Sequence, residues 1–414
     1  GMSTEERARR LNTVMPRRGT AWTPPGRAAA MWSILAQALE ADHDAWGVQV
    51  GRMHTPNGTA RSLDLLWRSS IRNGWVEKVP TLHIDATMRQ ELVARFLPGI
   101  TVAPAVSART PHVRIRQVLG APVSSKALVP GPRSKEREHT TAANNLRALR
   151  TYLAARSMQM GGGTAPVLAI GQMRAVSALV WGDLPANLET AHFNALSGLD
   201  RWGNVAGMVV MGRTLPPPAV IAKLQVALTG RLPQGDTSNE SWWYPLTERV
   251  IRRPRGRSYP TEGEYHPDPI AEAIRWSICE AELIQALGRG RGVNRTADNP
   301  LQIDLLTDIV LPVMADEVIS WDDLAPSRID MMAARGVILD NAADRARCFP
   351  DLWPNHDAAR KDGQRTGTNC YYRRSYNSRM SHSSVVVTYQ PVGPGQKPRT
   401  ATFDLDLIPD LRLG

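Results

Sequence analysis

At 414 residues the chain is long enough for two or three domains, and no run approaches the ~18 consecutive apolar residues that a membrane-spanning helix needs. Lys and Arg together number 50 against 39 Asp and Glu, a net charge of +11, and the lysines are only Lys78, Lys126, Lys135, Lys223, Lys361 and Lys397. A preference for arginine codons explains arginine over lysine but not the excess over acids, so the balance favours a polyanionic partner, mostly nucleic acid. Cys279, Cys348 and Cys370 stand apart from one another and from any histidine at ligand spacing, which argues against a disulfide framework or a zinc site. With no apolar secretory segment following the N-terminus, the expectation is a reduced, cytoplasmic protein without membrane contact.

The chain opens on a basic arm (Arg7, Arg9, Arg10, Arg17, Arg18). The spacing of Ala30, Ile34, Leu35 and Leu39 predicts a helix from Arg27 to Ala41, and Leu63, Leu65, Leu66, Trp67 and Ile71 suggest a second. Val79 to Met88 reads as a short strand ending in Asp85-Ala-Thr87, with a helix from Met88 to Phe96 that Asp85 can cap. From about 101 strands and helices alternate. Val113 to Leu119 is a strand, 130–140 a polar loop, and Ala142 to Met160 a long helix closed by three glycines. Pro166 to Gly171 is a buried strand with a helix from Gln172 to Val180 behind it. Thr190-Ala-His192-Phe-Asn194 then leads into the turn Gly198-Leu-Asp200 and the strand Ala206 to Met211, followed by a helix over Pro216 to Leu232.

Residues 233–265 break this alternation. Trp242, Trp243 and Tyr244 precede the basic run Arg249 to Arg257 and form either a base-stacking surface or an insertion's own small core. His266-Pro-Asp-Pro269 starts a helix cleanly, because proline in a first turn gives up no needed N–H. Ile270, Ile274, Ile278 and Leu283 recur at nearly helical spacing along it, and it runs into Gln285-Ala-Leu-Gly288-Arg289-Gly-Arg291-Gly-Val-Asn-Arg295. Arginines alternating with glycines suit phosphate oxygens, since guanidinium forks donate two N–H groups and keep their charge. A solvated surface turn is the other reading of such a tract. Leu301 to Pro312 reads as the last strand. After 316 come three short helices and two alternating strands joined by Pro391 to Arg399, the parts of a winged helix. There Arg360, Lys361, Arg373 and Arg374 would suit duplex phosphates, or form a solvated basic tail.

Gln285-x-x-Gly288-Arg289 followed by further arginines resembles motif VI of superfamily 2 helicases. Asp85-Ala-Thr87 resembles their motif III, Pro166 to Gly171 the motif IV strand, and Gly198-x-Asp200 motif V, in the family's order over roughly 80–312. The resemblance implies an α/β fold: a RecA-like parallel sheet flanked by helices over 101–315, a helical segment with a remnant of a first RecA-like domain over 1–100, and a small basic α+β, winged-helix-like module over 316–414. It implies the C-terminal part of an ATP-dependent DNA helicase of phage or plasmid replication, bacterial or phage-encoded. Gln285, Arg289, Arg291 and Arg295 would be its catalytic residues, with Gly288, Gly198 and Asp200 near nucleotide. Asp85, Thr87, Thr190, His192 and Asn194 would touch nucleic acid.

Two departures qualify this. The family's second arginine falls at Gly292, with Arg291 and Arg295 on either side. The chain also has no phosphate loop; Gly393-Pro-Gly-Gln-Lys-Pro398 lacks the spacing and the hydroxyl that binds Mg²⁺. ATP and Mg²⁺ are therefore expected only with a complementary first RecA-like domain, on a separate chain or a missing N-terminal portion, and this chain alone should be inactive. The alternative is a catalytically inactive, helicase-like nucleic-acid-binding or assembly subunit. For a phosphate-handling enzyme of unrelated mechanism, no paired carboxylates or Ser/His/Asp grouping stands out.

Overall fold

The computed structural model describes residues 47–55, 58–66, 68, 79–103, 108–182, 184–196, 198–235, 243–366, 384–405 and 408, with a few positions between 32 and 40. The chain divides into two compact units. The first is 1–105, 215–247 and 264–279; the second is 106–214, 248–263 and 280–414.

The first unit begins with an antiparallel hairpin, β1 (Val48–Thr55) and β2 (Gly58–Leu65), and a short helix α1 (Gln90–Val93). Leu63 and Leu65 thus lie on a strand, where their spacing had suggested a helix. The helix expected over Arg27 to Ala41 lies largely outside the described residues. The chain enters the second unit through β3 (Val113–Leu119), α2 (Ser125–Leu128), α3 (Glu136–Gly161), β4 (Val167–Gly171), α4 (Met173–Val180), β5 (Leu188–His192) and β6 (Gly207–Met211). It returns to the first for α5 (Pro218–Thr229), gives most of the hairpin β7 (Leu246–Arg252) and β8 (Ser258–Glu264) to the second, and comes back to the first for α6 (Pro269–Ile278). The second unit resumes with α7 (Glu280–Gly288), β9 (Leu301–Leu306) and β10 (Glu317–Ser320). It closes with α8 (Trp321–Leu324), α9 (Arg328–Ala333), β11 (Val337–Leu339), α10 (Ala342–Cys348), α11 (His356–Thr366), β12 (Ser384–Tyr389) and β13 (Arg399–Asp404).

Six of these strands form one parallel sheet in the order β10-β3-β9-β6-β4-β5. Steps from β3 through β5 run one way along the sheet, and steps from β5 to β10 run the other. Right-handed crossovers therefore place the connections on opposite faces. α3 and α4 pack against each other and against β4 and β5, while α7 covers β6. Both faces being covered, β4 and β6 are buried at every residue, which is why they read as unbroken apolar runs. Across the sheet Asp304 of β9 is sealed in, holding Arg156 of α3 at 2.5 and 3.0 Å and accepting from the Tyr152 hydroxyl at 2.6 Å. Burial works against the Arg156 charge, but the facing Asp304 outweighs it and raises the guanidinium pKa. β10 is a sixth parallel strand where the sequence pattern gives no further alternation, and Trp321 behind it meets Tyr152 edge to face at 5.4 Å. The C-terminal strands form a separate antiparallel sheet in the order β11-β13-β12, whose core centres on Trp353, Met332 and Ala401 and reaches Ala155 of α3.

In the first unit a smaller core joins Ile221, Tyr244, Ala271 and Ile274. Tyr244 is 4 % exposed and its hydroxyl donates to the Pro216 carbonyl at 2.8 Å, so this ring is core and not a free stacking platform. Trp243 packs edge-on against it at 5.4 Å; Trp242 lies outside the described residues. α6 begins where Asp268 accepts from the N–H groups of Ile270 and Ala271 at 2.9 and 3.1 Å. The expected single helix is two, α6 and α7, divided at Cys279, which no glycine or proline announces.

Candidate functional site

α7 covers β6 and delivers the Arg/Gly turn to the edge of the sheet where β6 and β9 begin. The approach is close: a Cβ on Gly290 would lie 2.6 Å from both the Leu301 and the Met208 side chains, so only glycine fits without displacing them. Arg291 then takes a left-handed backbone (φ 49°), uncommon for a residue with a Cβ, before a short 3₁₀ turn over Gly292–Asn294. This bend spreads the three arginines in different directions.

Arg289 reaches the loop after β5, where its Nη1 donates to the Leu199 carbonyl at 3.0 Å while its Nε is buried without a partner among the described residues. Arg291 closes on Asp200 through Nε at 2.7 Å and Nη2 at 2.6 Å, an exposed pair. Arg295 turns inward. It is 5 % exposed, donates to the Gly290 carbonyl at 2.8 Å and to Asn299 at 3.1 Å, and burial lowers its pKa. Gln285 is an exposed residue of α7, and Gly288 ends that helix with open space around it.

The facing loop is shaped from its own sequence. Gly198 adopts φ 76° and Asn194 φ 64°, and the Asn194 N–H donates to Glu282 of α7 at 2.7 Å. Trp202, 1 % exposed, anchors the loop by donating from Nε1 to Glu189 at 2.8 Å, and Arg201 lies over its ring at 4.6 Å. Thr190 sits within β5 opposite Ala169, and the His192 Nδ1 lies 2.9 Å from the Phe193 carbonyl oxygen. The structure thus brings Gly198, Asp200, Arg289 and Arg291 together across about ninety residues of chain, with Leu199 and Asp200 standing 90 and 91 positions from their arginines. Glu282 and Glu189, which hold the loop, gave no signal in the sequence beyond being acids on amphipathic elements.

Asp85 and Thr87 belong to the first unit. Residues 81–85 are not a strand, and Asp85 does not cap a helix; its Oδ1 accepts from the Thr87 N–H at 2.7 Å and hydroxyl at 2.8 Å. That is an Asx turn, the local alternative that aspartate offers a backbone. The helix that follows is capped at Arg89 and lasts one turn. Arg360 and Lys361 are exposed on α11, whereas Arg373 and Arg374 lie outside the described residues. Arg399, at the end of the connection from Pro391, is paired with Asp344 of α10 at 2.6 Å.

Arg289 Nε and Arg295 Nη2 are the guanidinium atoms of this turn that are buried without a hydrogen-bond partner among the described residues. Guanidinium charge is what the site offers; a lysine with a cradle of backbone N–H groups and a Mg²⁺ carboxylate are not part of it. Among the described residues no group of three His, Cys, Asp or Glu side chains could hold a metal ion, and no helix is long and apolar enough to cross a membrane. Comparison with protein-family models, with curated proteins and with solved structures finds no match.

Proposed function

We propose that this chain is the C-terminal part of a superfamily 2 DNA helicase, contributing motifs III to VI and the arginine side of an ATP site whose phosphate loop lies on a first RecA-like domain. The observation that carries the reading is the junction of two separated segments: Arg289 on the Leu199 carbonyl and Arg291 on Asp200. Two loops so coupled can transmit a change at nucleotide to a loop that touches a nucleic-acid backbone. A complementary domain would bring ATP with Mg²⁺, the phosphoryl donor. Arg289 then places charge against it, Asp200 fixes Arg291, and Trp202 with Glu189 holds the loop in register.

The C-terminal elements support a DNA partner independently of ATP. From α9 onward their order is helix, strand, helix, helix, strand, strand, with the sheet arranged β11-β13-β12, which supports reading them as a winged helix. α10 and α11 pack against each other, the turn between them is tied to α11 by the Trp353 indole N–H donating to Asp362 at 3.0 Å, and α11 exposes Arg360 and Lys361 as a second helix that would lie on DNA.

Joining this chain to a first RecA-like domain with an intact phosphate loop tests the proposal. Hydrolysis of ATP stimulated by DNA is the expected result, with none from this chain alone. A joined protein that binds DNA but gains no ATPase would leave the alternative, a helicase-like binding or assembly subunit.

A further inference from the structure

The hairpin of β7 and β8 carries the run Arg252-Arg253-Pro254-Arg255-Gly256-Arg257 at its turn, and the structure fixes that turn to the starting edge of the parallel sheet. The Arg253 N–H donates to the Arg257 carbonyl at 2.9 Å and closes the tip. Arg252 donates from Nη2 to the Pro312 carbonyl at 2.6 Å and accepts through its own carbonyl from the Ala315 N–H at 2.9 Å. Arg255 is held at φ 62°, a conformation that costs a residue with a Cβ about 1 kcal/mol or more and persists where the surroundings impose it. Between this tip and the first residues of β3 and β9 lies an open groove of about 700 Å³, and Arg114, Arg255 and Arg257 line it.

The arginines of this groove outnumber its carboxylates. On β3, Arg116 meets Glu317 of β10 at 2.8 Å, but Arg114 two residues earlier lies opposite Gln302, before β10 has begun. Asp316 is the carboxylate in the lining, and it already accepts from the Ile115 N–H at 2.7 Å. Arg114, Arg255 and Arg257 have no carboxylate partner among the described residues. Three like charges held along one groove by a strand and a pinned hairpin repel one another, and an anion relieves that repulsion.

We propose that this groove binds the phosphodiester backbone of a nucleic-acid strand. No Trp, Tyr or Phe lines it; His112 and Gln302 are the neutral polar side chains of a lining that is otherwise arginine, one aspartate and apolar residues, with Pro111, Pro254 and Pro300 giving it rigid sides, so charge and not base reading dominates. It is open rather than enclosed, as a continuous strand requires and a mononucleotide pocket does not. The groove also adjoins the Arg/Gly turn: a Cβ on Gly292 would lie 3.0 Å from Val113 and 3.4 Å from Thr110, the segment that leads into the groove wall. A strand leaving the groove continues along the same edge past Arg291. The inference stands apart from the helicase reading, because it requires neither ATP nor a second domain.

The test uses the full chain without nucleotide, with anisotropy of fluorescein-labelled single- and double-stranded oligonucleotides of mixed sequence. The triple variant Arg114→Gln, Arg255→Gln, Arg257→Gln is compared with a triple of equal charge loss elsewhere, Arg133→Gln, Arg137→Gln, Arg231→Gln. Each phosphate contact contributes about 0.7 to 0.9 to the slope of log affinity against log salt, so the groove variant should lose about 2 to 3 from that slope and at least about tenfold in affinity. The control triple should change far less, and thermal unfolding of both should stay near wild type. Equal losses in the two triples, or an unchanged slope in a folded groove variant, overturns the proposal. So does competition by AMP or inorganic phosphate at micromolar concentration, which would make the groove a small-anion site. Failure of the joined protein to hydrolyse ATP, by contrast, leaves this result untouched.

Discussion

Asp268 joins backbone to side-chain chemistry at one position in the first unit. Its carboxylate receives two N–H groups of α6, the Gln225 amide at 3.0 Å and the Gln234 N–H at 2.8 Å. Burial alone would raise its pKa, but these donors prevail and hold it below the usual carboxylate value. Asp268→Ala should therefore cost about 2 to 3 kcal/mol, a cap of about 1 plus the donors left unpaired, read as a fall in the urea midpoint. Asp200 is the opposite case. Its pair with Arg291 is exposed, so Asp200→Ala should cost under about 1 kcal/mol in stability, and any loss of DNA-stimulated turnover beyond that belongs to function. A large drop in melting temperature for Asp200→Ala would make the pair structural. Gly198, Asp200 and the arginines stood out in the sequence through their resemblance to motifs V and VI, and the structure places them side by side. Which arginine faces which group was not legible, because it depends on the left-handed turn at Arg291, and nothing in Arg-Gly-Arg-Gly specifies where that turn falls.

At the scale of elements, a strand was legible in proportion to how completely it is buried. β4, β6 and β9 announced themselves as apolar runs because they lie inside the sheet and are buried along nearly their whole length. β5, Leu-Glu-Thr-Ala-His, is an edge strand with one neighbour and gave no such run. β2 was misread for the complementary reason, since Leu63, Leu65 and Leu66 cluster closely enough to satisfy a helical face. β10 was missed because it is four residues long, yet Trp321 behind it fills the core against Tyr152. Truncation after Pro312 should thus fail to fold, and Trp321→Ala should cost about 3 to 5 kcal/mol in the full chain. A soluble, cooperatively unfolding product of that truncation would contradict this placement.

The entry to α6 supplies a pH dependence. His266 is fully buried, its Nδ1 accepts from the Asp268 N–H at 3.0 Å, and its neighbours are Tyr244, Asp268, Glu272 and Arg275. Burial lowers its pKa; Asp268 and Glu272 oppose that shift, and Arg275 adds to it. With the folded value below the ordinary ~6.5, the unfolded chain takes up the proton first, so stability is complete above about pH 6.5 and declines as pH falls below it. Asp268, also depressed, extends the loss into more acid conditions. Thermal melts from about pH 8 to 5 should fall in the wild type and flatten near pH 6 in His266→Gln; identical profiles would remove His266 as the cause.

For the whole molecule, the arginine excess predicts binding to nucleic acid with little sequence preference, because phosphate contacts release counterions and carry no base information. Unrelated oligonucleotides should bind alike and weaken together as salt rises; affinity insensitive to salt would contradict it. Under the proposed function, Arg289 would supply transition-state charge to an ATP site completed from elsewhere. The most direct measurement is the DNA-stimulated kcat of the joined protein with and without Arg289→Ala, taken beside DNA affinity. Arginine fingers are worth roughly 10³- to 10⁵-fold, so the account predicts a loss of that order with DNA binding nearly unchanged. A kcat within a few fold of wild type, or a loss that follows DNA affinity down, would contradict it.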